Sequence, residues 1–169
     1  ESGYNNLTGE RNTFIGNRSG RMNLSSENTM IGVDSGRFTT TAQQNTLIGY
    51  QAGRGKGSSG GDNNTANQNT IIGYQAGMNI TSGYQNLYIG YQSGENNEIG
   101  SKNVMMGPNT GKSSTSSRSI FIGTTENDNY GVGQVCTGNE NTLIGINVGI
   151  NVTSGEKNIS IGSQAGKGG

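Results

Sequence analysis

The stretch NTIIGYQAGMNITSGYQNLYIGYQSG, residues 69–94, decides how this chain is organised, because it contains the same nine-residue unit twice. NTIIGYQAG begins at Asn69, and NLYIGYQSG begins at Asn86, 17 residues later. Nine such units run through the chain, with leading glycines at Gly16, Gly32, Gly49, Gly73, Gly90, Gly107, Gly123, Gly145 and Gly162. Most neighbouring glycines are 16 or 17 residues apart, so the chain is a 17-residue repeat with two insertions.

The octapeptide GPNTGKSS, residues 107–114, is similar to a phosphate-binding loop, but it belongs to the repeat. That loop needs four residues between its glycines and a helix after them. Here three residues separate Gly107 from Gly111, and KSSTSSRS follows, which is not the start of a helix. Both glycines occupy the columns of the other units, so the sequence predicts no nucleotide site.

The composition excludes several classes of function. The 169 residues include 31 Gly, 1 Cys and no His, and the formal net charge is +0. A neutral chain lacks the basic footprint of a nucleic-acid-binding protein, and no apolar run approaches the ~18 residues of a membrane helix. Without His, the commonest metal ligand and general base is missing. We therefore expect no cofactor, no metal, no catalytic residues, no nucleic acid and no membrane insertion.

The repeat predicts an all-β fold. Two glycines in each unit disfavour a helix, and the polar-apolar-Ile-Gly centre is typical of a very short strand. A 17-residue coil has a contour of about 56 Å at ~3.3 Å per residue, which suits one turn of a narrow parallel β-solenoid with two short strands. We expect a single domain, 1–169, of about ten coils. Gly3 precedes Asn12 by nine residues, as Gly77 precedes Asn86, so we also expect a fragment of a longer fibre.

Three neighbouring columns of the repeat assign the faces of the predicted strand. The isoleucine column precedes the leading glycine and is predicted to fill the interior of the coil: Ile15, Ile31, Ile48, Ile72, Ile89, Met106, Ile122, Ile144 and Ile161. The threonine column lies two residues earlier and points the same way: Thr13, Thr29, Thr46, Thr70, Leu87, Val104, Ile120, Thr142 and Ile159. The asparagine column precedes it, with amides that form a ladder or bind the turn backbone: Asn12, Asn28, Asn45, Asn69, Asn86, Asn103, Asn141 and Asn158.

The middle column lies between the threonine and isoleucine columns and is predicted to point out of the coil. It is almost entirely large and apolar, so it needs a second surface to cover it. The prediction is a homotrimer whose interface contains Phe14, Met30, Leu47, Ile71, Tyr88, Met105, Phe121 and Leu143. A solenoid wide enough to bury both faces, or a capping segment, is the alternative.

The repeats resemble those of phage tail fibres, on units such as NTLIGYQAG at 45–53 and the stretch 69–94. They are also similar to the Asn-Ser-Val-Ala-Ile-Gly repeats of trimeric autotransporter adhesin heads. The Tyr-Gln pair after the leading glycine favours the tail-fibre version, whereas the adhesin unit is shorter. The resemblance implies a left-handed, homotrimeric β-roll that is extracellular, on a virion or a bacterial surface, and serves host attachment.

The two insertions, 54–68 and 128–140, are the predicted positions for recognition, because long loops on a rigid scaffold commonly carry it. Polar residues there suit a host surface glycan or protein: Arg54, Lys56, Asp62, Asn63, Asn64, Asp128, Asn129 and Tyr130. Loops without any ligand remain an open alternative. Two other functions also stay open: a tail spike that degrades polysaccharide, and an ice-binding solenoid that uses the threonine column.

Overall fold

The computed structural model describes residues 1–57, 64–124, 126, 131–150 and 152–166. Within these residues the fold is all-β and contains no helix. One short strand comes from each repeat, and all nine belong to one parallel sheet in sequence order. The strands are β1 Thr13–Ile15, β2 Thr29–Ile31, β3 Thr46–Ile48, β4 Thr70–Ile72, β5 Leu87–Ile89, β6 Val104–Met106, β7 Ile120–Thr124, β8 Thr142–Ile146 and β9 Ile159–Ile161.

Successive coils stack in exact column register, as the repeat predicts. β1 pairs with β2 so that Thr13 lies beside Thr29 and Ile15 beside Ile31. Coil-to-coil hydrogen bonds continue away from the sheet, for example from the Gly20 amide to the Ser35 carbonyl at 2.9 Å. Backbone groups are thus paired around the coil, and the parallel β-solenoid architecture is confirmed.

The second strand predicted for each coil is absent from the described residues. The far side of each coil consists of turns, because its backbone repeatedly enters the left-handed region. The second glycines do so, as at Gly53 with φ 52°, and so do residues with side chains, as at Gln51 with φ 55°. A chain with these dihedrals cannot pleat as a strand, so the coil has one strand and a turned wall opposite it.

The interior of the solenoid contains the middle column, so the predicted interface of Phe14, Met30, Leu47, Ile71, Tyr88, Met105, Phe121 and Leu143 is wrong. All of these except Phe14, which is half-buried at the end of the stack, are at most 2% exposed within one chain. They form a continuous core with Ala52, Ala76 and Ile80. Side chains already covered by their own coil are not available to another copy.

Steric fit explains why the middle column points inward. The second glycine of each unit faces the middle residue of its own strand: a Cβ on Gly53 would lie 2.7 Å from Cδ2 of Leu47, and one on Gly94 2.8 Å from Cδ2 of Tyr88. A three-residue strand directs one side chain inward and two outward. The narrow interior therefore takes one large residue from each strand, and the opposite wall supplies glycine to make room.

The asparagine column forms the predicted ladder and also binds the turns. Asn86 Oδ1 accepts the backbone N–H of Asn103 at 3.0 Å, and Asn86 Nδ2 donates to Asn69 Oδ1 at 3.0 Å. The same Nδ2 donates to the Gly100 carbonyl at 2.9 Å. Each buried amide thus joins three coils, which compensates the cost of burying it.

Candidate functional site: the outer face of the sheet

The outer face of the sheet consists of the threonine and isoleucine columns. Both point away from the core, so the prediction that the isoleucine column fills the interior is wrong. At the two ends of the sheet, Ile15 is 58% exposed and Ile161 is 64% exposed. Between them the isoleucine column is partly exposed, because neighbouring side chains 4.8 Å or so apart shield one another. The result is a continuous apolar strip along the solenoid.

Uniformity separates the isoleucine column from the core. The buried middle column varies widely, with Phe121, Met105 and Ile71 among its members, because the core adjusts to each residue. The isoleucine column has one side-chain type at eight of its nine positions. Nothing inside one chain requires that regularity at partly exposed positions. Identical side chains at the same position of each coil form a regular surface, which can pack against a second surface with the same spacing.

A row of tyrosines borders the outer face, two residues beyond the isoleucine column. The rings of Tyr50 and Tyr74 stack with centroids 5.2 Å apart, and those of Tyr74 and Tyr91 stack at 5.4 Å. Each of the three is between 43% and 51% exposed. The glutamines that follow form an amide ladder, in which Gln75 donates to Gln51 at 2.9 Å. The row is therefore rigid, and it widens the apolar surface.

The predicted recognition loops are only partly described. Asp62, Asn63, Asp128, Asn129 and Tyr130 lie outside the described residues. Asn64 is described, and its prediction as a receptor contact is wrong, because it is 1% exposed. Its Nδ2 donates to the Ile80 carbonyl at 2.6 Å, so it holds the next coil from inside the solenoid.

The two cations of the first loop have different surroundings. Lys56 is half exposed and forms an ion pair with Glu98. Arg54 lies with its guanidinium carbon 5.0 Å from the ring centroid of Phe38. None of the carboxylates in the described part of the chain forms an ion pair with Arg54. Arg54 therefore remains a candidate for binding, but in a cluster that is centred on Phe38.

No set of groups suited to metal chemistry appears among the described residues, where no three His, Cys, Asp or Glu side chains come together. Cys136 is fully buried, and burial raises the pKa of its thiol. The thiol therefore occupies a core position as a small apolar group. The described residues also contain no helix that is long and apolar enough to cross a membrane.

No family model, curated protein or solved structure matches this chain in comparisons with known proteins. The outer face and its surroundings are therefore the basis for assigning a function.

The surface position of the isoleucine column was not predicted, although the sequence contained a signal for it. The second glycine of each unit leaves space in a narrow core for a large side chain, and the structure places the middle column opposite it. The column after the second glycine that contains Arg21, Arg37 and Arg54 was not predicted as a binding site either. Phe38 and Asp34, which organise those arginines, have no repeat signature.

Proposed function

We propose that this chain is a non-catalytic segment of an extracellular attachment fibre, in which three copies associate side by side through their outer faces. The observation that carries the proposal is the isoleucine column, the most uniform apolar column of the repeat, which lies on the outside of a folded chain. The repeat's resemblance to phage tail fibres favours a phage-like fibre, and an adhesin head is the alternative. In this proposal the outer face forms the trimer interface, in place of the middle column, which is buried in the core of each chain.

The size of the outer face sets what an interface must include. Nine strands at ~4.8 Å spacing give a strip about 38 Å long. With a width of roughly 10 Å for two side-chain columns, the strip is on the order of 400 Å², about half of the ~800 Å² that each partner buries in a standard interface. The tyrosine row at one border supplies further apolar area, so a stable trimer needs Tyr50, Tyr74 and Tyr91 in the contact.

The proposal is tested by the solution mass from light scattering. The wild-type chain is expected at about three times its 17.6 kDa mass. Ile89→Lys places a charge at the centre of the outer face and is expected to give single folded chains. Ile99 is 64% exposed and lies outside the sheet, so Ile99→Lys is the matched control that keeps the trimer. A wild-type single chain, or equal masses for the two variants, contradicts the proposal.

Ice binding is the second candidate, and the outward position of the threonine column favours it. Thr29, Thr46 and Thr70 lie on adjacent strands beside Ile31, Ile48 and Ile72, as a flat ice-binding array requires. The array stops at Leu87, which lacks the hydroxyl. Because a trimer covers this face, we expect no thermal hysteresis. A single chain that shows thermal hysteresis would favour the ice-binding function.

A further inference from the structure

A cluster of arginines lies on the turned side of the first three coils. Arg21, Arg37 and Arg54 are in register, because the Met22 amide donates to the Arg37 carbonyl at 3.1 Å and the Phe38 amide donates to the Arg54 carbonyl at 2.8 Å. Their backbones are therefore about 4.8 Å apart from coil to coil. Three cations thus follow one line along the solenoid.

One buried carboxylate organises this cluster. Asp34 has a side chain only 4% exposed, and its Oδ2 accepts a hydrogen bond from a terminal nitrogen of Arg18 at 3.0 Å, while Nε of Arg18 lies 2.9 Å from Oδ1 as an ion-pair contact. Arg37 approaches Asp34 Oδ1 at 3.6 Å. Oδ1 of Asp34 accepts no hydrogen bond, so Nε of Arg18 and the guanidinium group of Arg37 contact it only as ion pairs.

The ring of Phe38 fixes two of the guanidinium groups. The guanidinium carbons of Arg37 and Arg54 lie 4.7 Å and 5.0 Å from its centroid. Phe38 is only 4% exposed, so it anchors the arginines and is not itself a contact surface. Nε of Arg37 and of Arg54 is buried and has no hydrogen-bond partner, so neither guanidinium group is fully satisfied within the chain. Both residues are partly exposed, so an anion can reach the edges of the guanidinium groups that face solvent.

The cluster has an excess of positive charge. It contains the guanidinium groups of Arg18, Arg21, Arg37 and Arg54, and the carboxylates of Asp34 and Glu1, with Glu1 3.2 Å from Arg21. Counted over the described residues of the cluster, two positive charges therefore remain unbalanced. Burial first, and then repulsion from the neighbouring arginines, lowers the pKa of Arg37 against the attraction of Asp34. An added anion would relieve that repulsion.

We propose that Arg21, Arg37 and Arg54 form a binding site for an acidic polysaccharide, with carboxylate or sulfate groups that bind the arginine line. The outermost cations of the line are about 10 Å apart over two coils, which suits charges repeated along an extended glycan better than one small anion. Nucleic acid fits less well, because Phe38 is buried and the exposed ring of Tyr4 beside Arg21 can stack on one base but not on successive bases. This proposal adds a ligand class to the attachment function. It rests on the proposed function only for where the polysaccharide comes from, the surface of the cell to which the fibre attaches.

The test is calorimetric titration at low salt with three probes: a galacturonic acid decamer, a sulfated dextran oligomer and neutral dextran of the same length. Binding of either acidic oligomer, and none of neutral dextran, is expected; the two acidic probes distinguish carboxylate from sulfate. Arg54→Gln is expected to weaken that binding about tenfold, since it removes one charged fork. Arg118→Gln is the matched control, because Arg118 is exposed, pairs with Glu140 and lies in a different column.

Further variants and probes make each outcome decisive. Arg54→Lys keeps the charge and the apolar stem but loses the fork, so we expect intermediate affinity and an unchanged melting temperature. Absence of binding by both acidic oligomers, or equal loss in Arg54→Gln and Arg118→Gln, would overturn the site. Single-stranded DNA that binds as tightly as the oligomers would overturn the glycan assignment. Light scattering on the same samples tests assembly separately: glycan binding by single chains would leave this site intact and contradict the trimer.

Discussion

Adjacent isoleucines at positions 71 and 72 allow the two faces of one strand to be tested with the same substitution. Ile71 belongs to the middle column and is 0% exposed, whereas Ile72 belongs to the isoleucine column and is partly exposed. The perturbation is Ile71→Lys in one variant and Ile72→Lys in the other. Both residues are in β4, so local sequence and strand propensity are closely matched.

The two substitutions are expected to lower the free energy of unfolding by very different amounts. Loss of a buried isoleucine with its cavity costs about 2–5 kcal/mol, and an unpaired buried ammonium adds several more. Together these are on the order of 6–10 kcal/mol, comparable with the ~5–15 kcal/mol that stabilises a typical domain. The Ile72→Lys side chain extends along the surface with its charge in water. For the single chain that change costs about 1 kcal/mol or less.

The assay is urea unfolding followed by circular dichroism, combined with light scattering. We expect Ile71→Lys to lack a cooperative transition, and Ile72→Lys to unfold cooperatively as a single chain. The reasoning would be refuted by the reverse pattern, in which Ile71→Lys gives folded single chains and Ile72→Lys fails to fold. That pattern would place the isoleucine column inside the coil.

Three further predictions concern the backbone, the asparagine column and a buried phenol. Gly90→Ala should destabilise the chain by roughly 2 kcal/mol more than Gly162→Ala in urea unfolding. The two glycines have similar φ, 133° and 124°, but only a Cβ at position 90 meets a backbone carbonyl oxygen, that of Gly107 at 2.6 Å. Equal losses of stability would contradict the close approach of the coils. Asn86→Ala should cost about 3–5 kcal/mol of stability, since it leaves a buried N–H and carbonyls unpaired. Asn86→Ser should cost less, because the repeat itself has serine in this column at position 119. A lower melting temperature for Asn86→Ser than for Asn86→Ala in calorimetry would refute the ladder. Burial raises the pKa of the Tyr88 phenol, so the folded state retains this proton above pH ~10, where the unfolded chain loses it, and the free energy of unfolding falls as pH rises further. Tyr88→Phe should flatten this decline between pH 9 and 11. An unchanged slope would show that the phenol is not buried.

The sequence was sufficient to predict a parallel stack with one coil per repeat, although not that each described coil has a single strand, because the repeat determines the stacking directly. Spacing between the leading glycines predicts one coil per unit, and column identity predicts the register in which Phe14 lies beside Met30. The asparagine ladder also followed, since a buried amide at the same point of every coil must bind its neighbours. These features depend on periodicity, which a single sequence displays.

The orientation of the strand could not be obtained from periodicity alone. Alternation separates the middle column from its neighbours, but it does not say which side is inside, and both sides are apolar here. Column uniformity was a misleading criterion, because a core adapts to Phe121 or Met105 while a regular outer surface does not vary. The arginine cluster was equally hidden, because Asp34 and Phe38 each occur once in their columns.

Disulfide trapping tests most directly whether the outer faces of three chains meet. Ile72→Cys places a thiol on the outer face, while Ser82→Cys places one at an exposed position away from the sheet, and the native Cys136 is buried in both. A trimer around a common axis predicts that mild oxidation of Ile72→Cys links at most about two thirds of the chains as covalent dimers, because a disulfide joins two thiols whose Cα atoms are within ~7 Å. Ser82→Cys should remain unlinked. No more dimer from Ile72→Cys than from Ser82→Cys would contradict association through the isoleucine column.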